Sequence, residues 1–258
     1  MSSISSISSS LSTTYSQLSS GKAINSASDG AAELAIIEEE DAQVNGLNQG
    51  SNNMAQAQDL LNVSDGALQS IQDYLQSIRE LAIKASNATV SDSDKAAIQT
   101  QIDQYKQGIA DIAEQTTFNT KNILDGSQTE YSLATDANGN STSISTTNAT
   151  LEALGIADFD VTGDYDISAI DDAISYVSSA LSSTGAQSNA LDYAMNYNSY
   201  TAYNLTSAKS RIEDLDYPQA VSEKKKQETL QAYALMMQKK KEEEEAQRTR
   251  TLLDTSFI

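Results

Sequence analysis

Residues 47–85 carry apolar and small side chains whose spacing alternates between three and four along the whole segment. This heptad pattern predicts one long helix with a seam that packs against a second helix. The seam positions are Leu47, Gly50, Met54, Ala57, Leu61, Ser64, Leu68, Ile71, Leu75, Ile78, Ala82 and Ala85. At 1.5 Å per residue the segment would span roughly 60 Å. Because a compact domain needs no helix of that length, the pattern predicts a helical rod.

A second heptad seam starts near Asp166 and has polar side chains at its centre. Its positions are Ile170, Ile174, Val177, Leu181, Thr184, Ser188, Leu191, Met195, Asn198, Ala202, Leu205 and Ile212. Two interpretations of Ser188 and Asn198 stay open: they specify the register of the helix pair, or they face solvent. Between the two seams, residues 91–94 have the pattern of an N-terminal cap for a further helix.

The segment 126–165 differs from both seams, because it is rich in Thr, Ser, Asn, Asp and Gly. Asn138-Gly139 lies between two short alternating stretches, 131–133 and 143–145, which is a strong hairpin signal. So few apolar side chains make a poor core. We therefore expect a small β element here and not an independent domain.

Both ends of the chain carry thin apolar stripes on otherwise polar helices. The N-terminal stripe contains Ile4, Ile7, Leu11, Tyr15 and Leu18, and the C-terminal stripe contains Leu230, Tyr233, Ala234 and Met237. Such helices bury too little surface to be stable alone, so we expect them to order only against a partner. The predicted fold is mainly α: a long antiparallel helical rod resembling a coiled coil, a small β-hairpin, and terminal coiled-coil helices.

Composition excludes several classes of function. The chain of 258 residues has no Cys and no His, so thiolate or imidazole metal sites and Cys- or His-based catalytic dyads are impossible. A formal net charge of −20 disfavours nucleic-acid binding. No apolar run is long enough to insert in a membrane, and no cleavable signal peptide is evident at the N-terminus. We expect no enzyme, no cofactor and no metal.

Two acidic segments allow sharper interpretations that the residues do not favour. Residues 158–166 have oxygen-bearing side chains at alternate positions and a Gly at the sixth, as in a calcium loop. The twelfth position, where a bidentate Glu is expected, is Ala169. The run 38–41 could offer paired carboxylates for glycoside chemistry, but a charge run is usually a solvated helix face.

Several linked motifs resemble those of bacterial flagellins and occur in the same order. They lie at 18–27 (LSSGKAINSA), 31–36, 65–68, 75–82, 117–119 and 210–214, followed by Asp216-Tyr217. The resemblance implies a rod domain, 29–218, with the β element at about 126–165, and a terminal coiled-coil domain, 1–28 with 219–258, that lines the filament channel. The short middle segment implies that the outer variable domains are absent.

The resemblance also implies a function and partners. The chain would be a structural subunit that polymerises with itself into the extracellular flagellar filament for motility. It would leave the cell without a cleaved signal peptide, through the flagellar export apparatus and with an export chaperone. Filament cap and hook-associated proteins would be further partners. Two alternatives stay open: the hook–filament junction protein of the same superfamily, and a secreted coiled-coil adhesin or effector.

We predict the assembly residues from the thin stripes and from one cation. The stripe residues are Ile4, Ile7, Leu11, Leu18, Ile24, Leu230, Tyr233 and Met237. Arg211 is expected to form ion pairs with acidic neighbours at a contact between subunits.

A further expectation concerns a Toll-like innate immune receptor that binds many flagellins. The resemblance places its binding region at Arg79, Glu80 and Leu81, which match the family. Flanking positions differ from the family pattern, at Ser77, Lys84 and Gln101. We therefore expect weak or absent receptor signalling.

Overall fold

The structure is a computed structural model that describes the backbone of residues 2–255 and the side chains of residues 5–250. Its elements follow in the order α1 (Ser2–Ser20), α2 (Ala31–Ala85), α3 (Asp92–Gln115), β1 (Thr117–Phe118), β2 (Lys121–Asn122), β3 (Glu130–Ala134), β4 (Ser141–Ser145), α4 (Ser168–Glu213) and α5 (Tyr217–Thr255). The prediction of a mainly α fold with a small hairpin and terminal helices is confirmed.

The chain divides into two compact units. The central unit is Gln43–Tyr203, and the terminal unit combines Met1–Ala42 with Asn204–Ile258. The terminal unit thus contains the start of α2 and the end of α4, in addition to the segments 1–28 and 219–258 that the sequence assigns to a terminal domain.

The seam of α2 forms the core of the central unit. Every seam position predicted between residues 47 and 85 is buried, and Leu68, Ile71 and Leu75 have no exposed surface. The seam of α4 contributes Ile170, Val177 and other buried side chains to the same cluster. The heptad interpretation is therefore confirmed for α2 at every position, whereas the predicted positions of α4 are buried or half-buried.

Polar side chains beside the seam show how α2 and α4 run past each other. Gln58 Nε2 donates to Asp192 Oδ1 at 2.9 Å, and Gln72 Nε2 donates to Ser178 Oγ at 3.4 Å. Residue numbers rise along α2 as they fall along α4, so the two helices are antiparallel in the central unit.

Helix α3 begins at the predicted cap. The Ser91 hydroxyl accepts from the Asp94 backbone N–H at 3.2 Å, and the Asp94 carboxylate accepts from the Ser91 N–H at 3.3 Å. This reciprocal capping box satisfies two backbone donors that a helix start leaves unpaired. The Ser91 hydroxyl also donates to Asp94 Oδ2 at 2.7 Å, and this contact is the main cause that lowers the pKa of Asp94.

The predicted hairpin is formed by β3 and β4, with Tyr131 opposite Ile144. Its turn closes on the Asp136 carboxylate, which accepts from the Asn138 and Asn140 N–H groups at 2.9 Å. Gly139 has a φ of 77°, in the left-handed region that glycine adopts without strain.

The tip of this hairpin lies directly on α2. An added Cβ at Gly46 would lie 2.6 Å from the Ala137 Cα, and one at Gly50 would lie 2.4 Å from the Thr135 carbonyl oxygen. Asn198 on α4 is buried and donates to that same oxygen at 2.8 Å. Asn198 therefore does not face solvent, and its amide joins the hairpin to the helix pair.

Two features of the central unit were not predicted. The short pair β1–β2 is joined by Asn119 and Thr120, which have positive φ angles of 48° and 66° without any Gly that would signal a turn. Residues 150–162 also bury more apolar surface than expected. Their buried side chains are Leu154, Ile156, Phe159 and Val161.

Candidate assembly surface

Helices α1 and α5 pack against each other in the terminal unit, and polar side chains form the centre of their contact. Thr14 Oγ1 donates to Gln227 Oε1 at 3.1 Å, and both residues are buried. Gln227 Nε2 donates in turn to Ser10 Oγ at 2.9 Å, and Gln231 Nε2 donates to Ser8 Oγ at 3.1 Å. This polar seam satisfies its own hydrogen bonds but buries little apolar surface.

A charged and aromatic group borders the polar seam. Tyr15 on α1 donates its hydroxyl proton to Glu228 Oε1 at 2.9 Å, and Lys224 Nζ lies 4.5 Å from the centre of the Tyr15 ring. The Lys224 ammonium also lies 3.8 Å from the Glu228 carboxylate. Because the Tyr15 ring is 47% exposed, these contacts contribute orientation more than stability.

The apolar side chains of α5 lie outside the polar seam. Leu230 is 46% exposed, Tyr233 62% and Met237 40%. Spacings of three and four place these three on one side of the helix, which we call the α5 flank. Met236, which is 70% exposed, lies beside it. Large exposed apolar side chains in a contiguous row mark an interaction surface.

The apolar stripe of α1 lies differently. Ile7, Leu11 and Leu18 are half-buried and share a helix face with Thr14, which contacts α5. This stripe is therefore used largely within the chain. The side chain of Ile4 lies outside the described residues. Sequence reasoning grouped these residues with Leu230, Tyr233 and Met237, and the structure brings the two groups into different surroundings.

The connection between α1 and α2 is fixed on the end of α4. Lys22 and Asp214 form an isolated antiparallel bridge. The Ala23 N–H donates to the Glu213 carbonyl oxygen at 2.6 Å, and the Leu215 N–H donates to the Gly21 carbonyl oxygen at 3.0 Å. These backbone hydrogen bonds hold the end of α1 beside the point where α4 stops and α5 begins.

A buried carboxylate organises the charges at this point. The Glu213 side chain is 8% exposed and pairs with Lys22 and, at 3.4 Å, with Lys209. Lys209 also donates to Asp41 Oδ1 at 2.5 Å. The Asp41 contact is the main cause that raises the pKa of Lys209. The sequence analysis did not identify this cluster, because its members come from three separate segments.

Arg211, the cation chosen from the sequence, is not part of this cluster. It is exposed, and no carboxylate of the described side chains lies within ion-pair distance of it. Its guanidinium therefore remains accessible in the single chain, and its role at a contact between subunits stays a prediction.

Ile24 is half-buried in the loop before α2. An added Cβ at Gly30 would lie 2.9 Å from Ile24 Cδ1, so the missing side chain makes room for Ile24. Asp29 stabilises the same loop, because its carboxylate accepts from the N–H groups of Asn25 and Ser26. These contacts lower the pKa of Asp29, and the Asn25 N–H is the main cause.

The predicted receptor region lies on α2, in the central unit. Arg79 Nε donates to Asp171 Oδ1 on α4 at 2.6 Å, and this contact raises the pKa of Arg79. Glu80 is exposed and Leu81 is half-buried. The three residues therefore lie together, but the guanidinium of Arg79 is already engaged within the chain.

The acidic segment 158–166 forms turns that its own carboxylates stabilise. Asp160 and Asp166 accept hydrogen bonds from Thr162 and Ser168 of their own turns, which lowers the pKa of both carboxyls. Within the described residues, no three Asp or Glu side chains converge as metal ligands. Among the described helices, none combines the length and the apolar character needed to cross a membrane.

Two protein-family models match the chain, one in its N-terminal half and one in its C-terminal part. The bacterial flagellin N-terminal helical region matches residues 1–129, and the bacterial flagellin C-terminal helical region matches residues 167–244. Together the two matches include α1 to α4 in full and α5 as far as residue 244.

Curated relatives extend over most of the chain. A flagellin of Halalkalibacterium halodurans is 36% identical over 80% of this chain and 79% of its own length. A flagellin of Bacillus subtilis is 34% identical over 80% of this chain and 81% of its own length. The flagellar filament 33 kDa core protein of Treponema phagedenis is 32% identical over 83% and 82%, respectively.

Solved structures agree with these matches. A crystal structure of Bacillus cereus flagellin superposes with a TM-score of 0.51 at 26% identity, covering 57% of this chain and 88% of that one. A putative flagellar hook-associated protein of Vibrio parahaemolyticus reaches a TM-score of 0.61 at 16% identity, covering 72% and 100%, and shares the fold alone. The matches favour a filament subunit over the junction-protein and adhesin alternatives, and the chain belongs to the bacterial flagellin family.

Proposed function

We propose that this chain, as a structural subunit of the bacterial flagellar filament, polymerises by covering its α5 flank with neighbouring copies. The observation that carries the proposal is the chemistry of the terminal unit. Polar side chains occupy the inside of the α1–α5 contact, while Leu230, Tyr233 and Met237 remain exposed. The described part of the chain leaves these side chains 40–62% exposed, and a neighbouring helix can cover them.

The energetics favour a repeated contact over a single strong one. Fully burying a Leu or Met side chain contributes about 1.5–3 kcal/mol, and the flank residues have roughly half of that still to gain. Such a contact is weak in a dimer. In a polymer every subunit makes it with its neighbours, so the gains add along the filament.

Polymerisation with itself also implies other partners during export and assembly. An exposed apolar flank promotes premature association inside the cell, so an export chaperone would cover α5 until the chain enters the export apparatus. Filament cap and hook-associated proteins would meet the same terminal helices at the ends of the filament. The mature location would be extracellular, and export would occur without a cleaved signal peptide.

The test compares two leucines on the same helix. Leu230→Ser removes a flank residue, and Leu235→Ser removes an equally large side chain, 52% exposed, that lies about 140° away around α5. We expect L230S to raise the critical concentration for polymerisation about tenfold, since each 1.4 kcal/mol corresponds to that factor. L235S should polymerise as the unmodified chain does. Sedimentation and electron microscopy would measure both.

If L230S and L235S polymerise equally well, the α5 flank is not the assembly surface. If the unmodified chain does not polymerise at all under conditions that assemble other flagellins, the proposal fails as a whole. Circular dichroism of both variants is needed to show that the helices are retained before polymerisation is compared.

Arg211 supplies a second, electrostatic part of the proposal. Its free guanidinium on a chain of net charge −20 would bind an acidic side chain of the next copy. Arg211→Ala should weaken polymerisation and make it less sensitive to salt. Unchanged salt dependence in R211A would argue against this contact.

We infer that recognition by a Toll-like immune receptor is weak. The Arg79–Asp171 ion pair occupies Nε of the Arg79 guanidinium and fixes its orientation, and Ser77, Lys84 and Gln101 differ from the family pattern. Purified chain should therefore give a low response in receptor reporter cells. A full response would contradict this inference, and a larger response from Asp171→Ala would support the role of the ion pair.

A further inference from the structure

Helix α4 carries a row of tyrosines that the proposed α5 contact does not use. Tyr193 is 78% exposed, Tyr197 68%, Tyr200 74% and Tyr203 72%. All four belong to the central unit. In contrast, Tyr74 on α2 and Tyr105 on α3 of the same unit are half-buried, and their ring centroids lie 5.6 Å apart.

Helical spacing places these rings on one face. From Tyr193, the residues Tyr197 and Tyr200 lie about 40° and 20° to either side around α4, and Tyr203 lies about 80° away. The buried residues Leu191, Asn198 and Ala202 lie on the opposite side. We call the exposed row Tyr193, Tyr197 and Tyr200, extended by Tyr203, the tyrosine face.

The tyrosine face is also free of charge. No Asp, Glu, Lys or Arg occurs between Asp192 and Lys209, although charged residues make up 20% of the whole chain. Asn196 is an exposed polar residue between the rings, and the exposed Ser199 lies at the edge of the face. An aromatic face with uncharged hydrogen-bonding groups has the composition of an interface centre, where charged residues are depleted and Tyr is enriched.

We propose that the tyrosine face binds a second copy of this chain and forms a lateral contact in the polymer. The proposal rests on the proposed function, but it uses a different unit, a different helix and different residues from the α5 flank.

Charge and area argue for a second copy as the occupant. Two chains of net charge −20 repel each other over most of their surfaces, so they approach best where neither carries a charge. A tyrosine can bury about 150–250 Å², so the four rings still offer roughly 550 Å². A stable interface needs about 800 Å² per partner, so the tyrosine face can supply most of one side.

Chemical protection provides the first test. Nitration of tyrosine with tetranitromethane, mapped by peptide mass spectrometry, should label Tyr193, Tyr197 and Tyr200 readily in the monomer. In the polymer of the same full-length chain, we expect labelling of all three to fall several-fold. Equal labelling in monomer and polymer would overturn the proposal, because it would place the rings in solvent.

A matched pair of variants provides the second test. The triple variant Y193S/Y197S/Y200S removes the face, and Tyr176→Ser removes a tyrosine on the same helix that is 42% exposed and lies about 100° away from the face. We expect the triple variant to raise the critical concentration at least tenfold, because tyrosines are enriched among the few interface residues that carry most of the binding energy. Y176S should assemble normally.

The outcomes separate this inference from the proposed function. If the unmodified chain polymerises and the triple variant does so equally well, the tyrosine face has no role in assembly and this inference alone is wrong. Equal polymerisation is also the result expected if the face binds a saccharide or another protein on the finished filament, and it would likewise overturn this inference. If the unmodified chain fails to polymerise, both proposals are wrong. Retained circular dichroism in the triple variant would show that lost assembly is not lost folding.

Discussion

The helices of the central unit pair through apolar side chains, whereas α1 and α5 of the terminal unit pair through hydroxyls and amides. In the central unit, Leu68, Ile71 and Leu75 have no exposed surface. In the terminal unit, Thr14 and Gln227 hold the contact and Leu230 stays in solvent. The difference shows that a heptad-like spacing does not decide which side chains a helix buries. The partner helix decides that as well.

This contrast suits a subunit that must be both stable and incomplete. The apolar seam of the central unit gives the single chain a fold, since burial of apolar surface is the dominant favourable term. The polar seam of the terminal unit positions two helices without covering the apolar flank of α5. The apolar side chains of α5 then remain for contacts with other chains.

The largest effect on stability is expected from truncating a buried side chain in the seam of α2. Leu75→Ala should lower the free energy of unfolding by about 2–5 kcal/mol, because it leaves a cavity at a site without exposed surface. Leu230→Ala should change it by less than about 0.5 kcal/mol, since that side chain is exposed in the single chain. Urea unfolding of the monomer, followed by circular dichroism, would measure both. Equal effects would contradict the contrast between the units.

A smaller effect on stability is expected where the hairpin lies on α2. Gly50→Ala should destabilise the central unit by about 1–3 kcal/mol, because its Cβ would lie 2.4 Å from the Thr135 carbonyl oxygen. Gly66→Ala on the same helix has no atom within 4 Å of its Cβ and should stabilise by about 0.5–1 kcal/mol. Thermal unfolding of the two variants should therefore shift in opposite directions.

The polar seam allows a third test, which concerns the terminal unit alone. Thr14→Val leaves the buried Gln227 Oε1 without its donor, at a cost of about 1–2 kcal/mol. Amide hydrogen exchange should become faster in α1 and α5 and stay unchanged along the seam of α2. Adding Gln227→Leu to this variant should restore part of the protection, because neither partner then needs a hydrogen bond.

The smallest effect on stability is expected from lowering the pH. One carboxyl group from each unit allows the two units to be compared. The pKa values of Asp29 and Asp94 are both lowered from 3.8, the first mainly by the Asn25 N–H and the second mainly by the Ser91 hydroxyl. Each ionised carboxylate therefore stabilises the folded chain above that value, and the contribution is lost as the pH falls below it. NMR titration of the two carboxyl groups should give midpoints below 3.8. A midpoint at 3.8 for either group would show that its hydrogen bonds do not stabilise the ionised carboxylate.

Much of the fold follows from local patterns. Helix α2, the capping box at Ser91 and the hairpin around Gly139 each rest on interactions between residues close in sequence, or on a spacing that repeats many times. Such features are visible to sequence reasoning because their causes are local. The resemblance of the motifs to flagellins carried the family and its function, which the comparisons confirmed.

The candidate surfaces were only partly predictable. The role of Leu230, Tyr233 and Met237 in assembly stays a prediction. The sequence did not distinguish these exposed residues from Ile7 and Leu11, which are half-buried within the chain. The Glu213 cluster depends on three segments that meet only in the folded chain, so no sequence spacing could predict it. The tyrosine face was missed because helical spacing does not show whether another element covers a ring, and its four rings are at least 68% exposed only in the folded chain.

Periodicity, caps and turn residues placed most of each helix and the hairpin, because these depend on backbone geometry and on nearby side chains, although α2 begins at Ala31, before the predicted seam. The tertiary structure was needed to decide which apolar residues are covered and which stay exposed. That choice depends on how much surface each helix receives from a partner distant in sequence. The same heptad spacing therefore yields a buried seam on α2 and an exposed flank on α5.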